Sequence, residues 1–138
     1  MKKRLIITFV VALLAFTVFS SVAMAADIGT YTRELWAAES YRYTTPRDKA
    51  VAGQSARHKN TEVFRSEGTP IASSISGRVM VHNSSNAATP YVSVSSGGSA
   101  SMSYYSDYGD ATSNYNLKLY NPHTYPIQAS GSWSPDFF

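Results

Sequence analysis

The chain of 138 residues contains no cysteine. This absence excludes a disulfide framework, a thiol nucleophile and the lipid-modified cysteine that anchors a lipoprotein. A secreted domain without disulfides has to be stabilised by its hydrophobic core. Beyond residue 25 the sequence also lacks an apolar run of about 18 residues, so it predicts no membrane-spanning helix in that part.

A long apolar run occurs at the N-terminus. It follows a basic start at residues 2–4, extends from Leu5 to Phe19 and leads into the small-residue site at residues 23–25. This order is typical of a bacterial secretory signal peptide. We therefore expect residues 1–25 to be a cleavable signal helix and residues 26–138 to form one secreted domain, periplasmic if the host has an outer membrane. An uncleaved anchor is the alternative, which the shortness of the run disfavours.

Net charge is lacking once the predicted signal peptide is set aside. The whole chain carries a formal charge of +3, but three of its twelve basic residues lie before residue 26, which leaves nine basic against nine acidic residues. A nucleic-acid-binding protein normally has a basic surplus, because it must displace counterions from phosphates. The sequence therefore predicts no nucleic-acid partner and no polybasic attraction to lipid.

Catalytic and cofactor motifs are also absent. His58, His82 and His123 are far apart and form no HxxxH or HExxH pair, so we expect them at surface or turn positions. No GxSxG or SxxK motif marks a nucleophilic serine, although a triad assembled only in space stays open. We expect a protein that is not an enzyme and has no cofactor.

Oxygen donors occur together around one predicted loop. Asp107, Asp110 and Asn114 carry the hard oxygen ligands that calcium prefers. Their spacing is not that of an EF-hand, and Asp and Asn are also ordinary capping residues in loops. The sequence predicts no metal site, and these three residues are only a weak calcium candidate.

Serine, threonine and tyrosine are abundant after residue 25, whereas leucine, glutamate and lysine are few, the opposite of a helical bundle. Apolar and polar residues alternate in five runs, which predicts strands with one buried and one wet face. The runs are residues 75–82, 91–95, 101–105, 115–120 and 127–133.

The links between these runs are short, which favours antiparallel pairing of sequential strands. Residues 96–99 are Ser-Gly-Gly-Ser, a hairpin signal. Residues 60–65 predict one further strand. Residues 32–43 are compatible with a helix or a strand, and residues 44–60 with a strand pair or a loop, so residues 26–60 are the least defined part.

A single five-stranded sheet would leave its apolar face in water, so the N-terminal half must cover it. The sequence therefore predicts an all-β fold, a mostly antiparallel β-sandwich of about six to eight strands. The predicted core residues are Val79, Val81, Val92, Val94, Leu117, Leu119, Ile127 and Trp133.

All ten tyrosines follow residue 25. The alternation places Tyr91, Tyr105 and Tyr120 on the polar side of their strands, among serines and asparagines. Such rings are suited to stacking on sugars or to protein contact, and we predict these three as ligand-binding residues. The alternatives are cross-strand packing without a ligand, or burial beneath a second layer.

Together these features predict a small secreted bacterial binding protein. Its expected partner is a surface glycan, a cell-wall polymer or a protein, met through the tyrosine-bearing sheet face. The alternative is a secreted antagonistic factor, such as a bacteriocin or a membrane-acting toxin. A neutral domain without a cationic amphipathic helix argues against direct attack on lipid.

Overall fold

The computed structural model describes residues 27–35, 40–65, 74–111 and 113–137. The predicted signal peptide lies outside them. The described residues are all-β, with nine strands and no helix. In order they are β1 (Gly29–Leu35), β2 (Tyr41–Tyr43), β3 (Arg47–Asp48), β4 (Ala56–Arg65), β5 (Ser74–Val81), β6 (Val92–Ser95), β7 (Ser99–Met102), β8 (Asn114–Tyr120) and β9 (Ile127–Ser134).

The nine strands form two antiparallel sheets. The four-stranded sheet has the order β1-β9-β4-β7, and the five-stranded sheet has the order β2-β8-β5-β6 with β3 also paired to β8. Strands β2 and β3 have only three and two residues and pair with successive stretches of β8, so they are two pieces of one edge strand. Pieces this short show no recognisable alternation in the sequence. Counted separately, they bring the described strands to nine, above the six to eight expected.

Most connections carry the chain from one sheet to the other. The hairpin expected at residues 96–99 is wrong, because β6 pairs with β5 whereas β7 pairs with β4 in the other sheet. A tight turn is present there: the Gly98 N–H donates to the Ser95 carbonyl oxygen at 2.9 Å, and Gly97 has a φ of +75°. The turn reverses the chain, but packing of the two sheets decides which strand each arm joins.

Both sheets contribute side chains to one hydrophobic core cluster. Six of the eight predicted core residues are buried, and Val81 and Val92 are partly buried against the cluster. The buried six are Val79, Val94, Leu117, Leu119, Ile127 and Trp133. The period-two pattern therefore identified the inward faces of β5, β6, β8 and β9 correctly.

One residue on the polar side of β5 is nevertheless buried. The alternation along β5 places Met80 on the same side as Arg78, but Met80 is 2% exposed. Its backbone forms an isolated bridge with Ala87, which belongs to the link between β5 and β6. That link folds back along β5, so it shields part of a face that the alternation assigns to solvent.

The least defined part, residues 26–60, contains short strands, loops and a turn at residues 52–53 where it is described. Strands β1 and β2 overlap residues 32–43, the stretch compatible with a helix or a strand, and the described residues there form no helix. Strand β1 pairs with β9 over its whole length, from Gly29 opposite Trp133 to Leu35 opposite Ile127. Long-range pairing therefore decides the conformation of a segment in which neither period is clear.

Candidate ligand-binding face

The side chains of β8 divide between two environments. Tyr115, Leu117 and Leu119 are buried in the core, whereas the alternate residues Lys118 and Tyr120 are only partly buried and point to the opposite side of the sheet. On that side two rows cross the sheet from β2 to β5. One row is Tyr41, Tyr120 and Ser76, and the next is Tyr43, Lys118 and Arg78.

Four tyrosines gather on this side, and we call Tyr41, Tyr43, Tyr91 and Tyr120 the tyrosine face. Tyr91, just before β6, has its ring centroid 5.7 Å from that of Tyr120. The rings of Tyr41 and Tyr43 meet edge to face at 5.8 Å. Tyr41, Tyr43 and Tyr91 are 50%, 43% and 41% exposed, so these rings present large apolar surfaces to solvent.

Two cations lie among the rings. The Lys118 ammonium is 4.0 Å from the centroid of Tyr41 and 5.8 Å from that of Tyr43. The Arg78 guanidinium is 4.4 Å from the centroid of Tyr91. These distances are within the range of cation–π attraction, which helps to fix the rings in place.

The pKa values of Lys118 and Tyr91 are shifted by partial burial and by the charge of Arg78. Partial burial lowers the pKa of Lys118, and the nearby charge of Arg78 lowers it further. Partial burial also raises the pKa of Tyr91, an effect that the charge of Arg78 opposes.

A cleft of about 490 Å³ opens at the end of the tyrosine face, beside Tyr43. Its wall is rich in hydrogen-bonding side chains: His82, Asn83, Ser84, Ser85 and Asn116. Most of these belong to the link between β5 and β6, which folds back along the sheet. The apolar rings of the tyrosine face therefore lie next to a cleft with a largely polar wall.

The hydrogen bonds in the cleft decide which ring nitrogen of His82 carries a proton. The Asn116 amide nitrogen donates to the Thr44 carbonyl oxygen at 2.7 Å, so the Asn116 Oδ1 is the atom that meets His82 Nδ1, also at 2.7 Å. Since Oδ1 can only accept, His82 Nδ1 carries the proton. In the neutral ring Nε2 is then an acceptor, suited to a hydroxyl donor.

The structure brings together two of the three tyrosines predicted from the sequence. Tyr91 and Tyr120 are in ring contact, whereas Tyr105 lies on the link after β7 and has no ring contact with either of them. The Tyr105 N–H donates to the Ala88 carbonyl oxygen at 2.9 Å, and the side chain is 47% exposed. Tyr105 is thus an exposed tyrosine outside the ring contacts of the tyrosine face.

Four residues of this surface were missed by sequence reasoning: Tyr41, Tyr43, Arg78 and Lys118. Arg78 and Lys118 do alternate with core residues on β5 and β8, so the pattern already assigned them to the wet side. Tyr41 and Tyr43 share a side in the sequence Tyr-Arg-Tyr, but three residues are too few to identify a strand. Their pairing with β8 places them beside Lys118 and Tyr120.

The weak calcium candidate is spread over two elements. Asp107 and Asp110 are exposed in the link between β7 and β8, whereas Asn114 opens β8 and pairs with Asp48. Within the described ranges, no group of three or more His, Cys, Asp or Glu side chains is placed to hold a metal ion. The link itself is fixed by the Gly109 N–H, which donates to the Tyr115 hydroxyl at 3.0 Å.

One histidine departs from expectation. His58 is fully buried, so its expected surface position is wrong. Its Nε2 lies 2.7 Å from the Tyr31 hydroxyl, and burial lowers the pKa of His58 to about 4. His58 is therefore a neutral core residue at physiological pH.

No family model matches the chain, and a search of curated proteins finds no similar sequence. No helix within the described segments is long and apolar enough to cross a membrane.

Proposed function

We propose that the protein is a secreted, non-enzymatic binding module, a β-sandwich whose tyrosine face docks on a surface glycan. The grouping of four tyrosine rings on one side of the five-stranded sheet carries the proposal, since three of them are 41–50% exposed. Rings with hydroxyl tips stack on sugars and reach sugar hydroxyls. Three of the four rings stand on paired strands and so keep their spacing, which reduces the ordering cost of binding.

The sandwich arrangement is supported by the shared core and by the connectivity. If β2 and β3 count as one interrupted strand, eight strands remain, and the chain passes between the sheets at every link except the β5–β6 hairpin. This connectivity resembles a double-sheet jelly roll. Such a fold accommodates several functions, so the argument for glycan binding rests on the face and not on the fold.

The adjoining cleft supports a sugar ligand. A sugar ring stacked on Tyr43 would have its hydroxyl groups within reach of the cleft. There His82, Ser84 and Ser85 supply hydrogen-bond donors and acceptors. Sites that pair apolar stacking with a few polar groups are typical of small-molecule recognition.

Export is part of the proposal, because a surface glycan is reached only outside the cell membrane. It rests on the signal peptide expected at residues 1–25. The intact mass of the protein in culture supernatant tests it, and a product beginning near Ala26 is expected. Recovery of only a full-length, cell-bound species would contradict export.

The binding function is tested by sedimentation of the secreted protein with purified bacterial cell walls. We compare Tyr43→Ser combined with Tyr91→Ser against Tyr105→Ser, a matched change at an exposed tyrosine outside the face. Loss of two stacking contacts should weaken wall binding about tenfold or more. The Tyr105 variant should bind within about twofold of the parent protein.

Circular dichroism and the melting temperature establish that each variant is folded. Undiminished wall binding by the folded double variant would contradict the proposal, as would an equal loss in the Tyr105 variant. Leakage of dye from liposomes without any binding to walls would also contradict it, and would favour an antagonistic, membrane-acting factor.

A further inference from the structure

The two cations of the tyrosine face have no acidic counterpart among the described residues. Arg78 and Lys118 are direct cross-strand partners on β5 and β8. The ion pairs found in the described part of the chain are Arg47 with Asp27 and Lys49 with Asp136, and neither involves this face. Like charges placed directly opposite each other destabilise a sheet, and an anion bound beside them would reduce this repulsion.

Arg78 also has an unused donor. Its Nε is buried and has no hydrogen-bond partner in the described structure. A buried N–H without a partner is unfavourable, and such groups are uncommon in folded proteins. Nε is closed to a ligand in this conformation, but Arg78 as a whole is only partly buried, and a carboxylate on its guanidinium would supply the missing counter-charge.

The positions of the charges restrict the ligand further. Lys118 lies 4.0 Å from the ring centroid of Tyr41, and Arg78 lies 4.4 Å from that of Tyr91. Charge and stacking surface are therefore interleaved, so a matching ligand carries its anionic groups next to its rings. Sugars with a carboxylate attached directly to the ring have this arrangement, whereas in a polyol phosphate chain the charges are not attached to stacking rings.

We infer that the tyrosine face selects an acidic polysaccharide built of uronic-acid-type sugars. In this arrangement sugar rings lie on the tyrosines, while ring carboxylates accept hydrogen bonds from Arg78 and Lys118. The inference rests on the proposed glycan-binding function and adds the chemical class of the glycan.

The probe is polygalacturonate, compared with its methyl ester, which keeps the sugar rings and removes the charge. The secreted protein should bind the acid at least tenfold more tightly than the ester in low salt. Raising the NaCl concentration to about 0.5 M should reduce this difference, because ions screen exposed charges.

Arg78→Gln and Lys118→Gln should each lower the affinity for polygalacturonate at least tenfold, a larger loss than either variant shows for the ester. Lys59→Gln is the matched control, because Lys59 is an exposed cation on β4, in the other sheet. Its affinity should stay within about twofold of the parent protein. Two independent face variants, each checked by melting temperature, guard against a folding defect in one of them.

Equal affinity for the acid and the ester would overturn the inference. So would an equal loss in the Lys59 variant, which would indicate binding by net charge, or binding to poly(glycerol phosphate) as tight as to polygalacturonate. If wall binding is lost in the tyrosine double variant but kept in both charge variants, the acidic specificity fails while glycan binding stands. If the tyrosine variant also keeps wall binding, the proposed function fails as well.

Discussion

The Lys49 ammonium lies 2.8 Å from a carboxylate oxygen of Asp136, and the two side chains are 0% and 2% exposed. Lys49 Nζ also donates to the carbonyl oxygens of Gln54 and Pro135. The Asp136 carboxylate accepts from two further backbone N–H groups, at residues 50 and 51. The pair therefore ties the segment before β4 to the residues after β9, with every charge satisfied as burial requires.

We predict that Lys49→Met lowers the free energy of unfolding by about 3 to 5 kcal/mol, because it leaves the Asp136 carboxylate buried without its counter-ion. Urea denaturation followed by circular dichroism measures the loss. Asp27→Asn is the control: it breaks the exposed ion pair with Arg47, whose side chain is 29% exposed against 39% for Asp27. That pair should contribute at most about 1 kcal/mol. An equal loss of unfolding free energy in both variants would contradict a buried, stabilising ion pair between Lys49 and Asp136.

Acid should destabilise the protein through His58. Burial lowers the folded-state pKa of His58 to about 4, from an ordinary value of 6.5. Between these values the unfolded chain binds more protons than the folded one, so the free energy of unfolding falls as the pH is lowered from 6.5 toward 4. The His58 contribution should amount to about 2 kcal/mol between pH 7 and pH 5.

The measurement is urea denaturation at both pH values for the parent protein and for His58→Gln. Glutamine does not titrate in this range and retains a hydrogen-bonding group for the Tyr31 hydroxyl. All other groups are common to both proteins, so their contributions cancel in the comparison. The same pH dependence in parent and variant would disprove a neutral, buried His58.

A core truncation on β8 tests which side of the five-stranded sheet faces the core. Leu117 is fully buried, so Leu117→Ala should lower the free energy of unfolding by about 2 to 5 kcal/mol. Ser93→Ala, at an exposed position of β6 in the same sheet, should change it by less than about 0.5 kcal/mol. A small effect at Leu117 together with a large one at Ser93 would invert the assigned faces.

Gly131 on β9 lies too close to its neighbours to carry a side chain. A Cβ at this position would overlap the backbone carbonyl oxygen of Lys59 and would stand 2.6 Å from the Tyr31 hydroxyl. Because a backbone carbonyl in a paired strand cannot move aside, Gly131→Ala should destabilise by at least about 1 to 3 kcal/mol. Ser132→Ala, next along the strand and partly buried, serves as the control and should stay within about 0.5 kcal/mol. Thermal melting compares the two, and a Gly131→Ala protein as stable as the parent would contradict the close packing of β4 and β9.

Local patterns were enough to identify the later strands. The alternation around Val79, Leu117 and Ile127 placed each of these side chains in the core, as the structure confirms. The same alternation put Arg78, Lys118 and Tyr120 on the opposite side. With Tyr91, which the pattern also placed on the polar side, four of the six residues of the tyrosine face and its cations were visible from the sequence, because a period of two depends only on the geometry of an extended chain.

The other two residues of the site depend on lateral neighbours, which a local pattern does not encode. Tyr41 and Tyr43 join the face only because β2 pairs with β8, and Tyr105 lacks ring contact with it because β7 joins the other sheet. The glycine turn at residues 97–98 has the same sequence signal whether β6 and β7 pair with each other or with strands of different sheets.

What the sequence alone determined is the absence of disulfides, the all-β character and the two faces of the longer strands, because composition and the period of two act locally. The tertiary structure decided the pairing order of the strands, the burial of His58 and Lys49, and the meeting of Tyr43, Lys118 and Arg78 in one row. A charged or polar residue is buried only when a partner distant in the chain satisfies it, as Asp136 does for Lys49. Such partners are fixed by the packing of two sheets and leave no signal in the residues beside them.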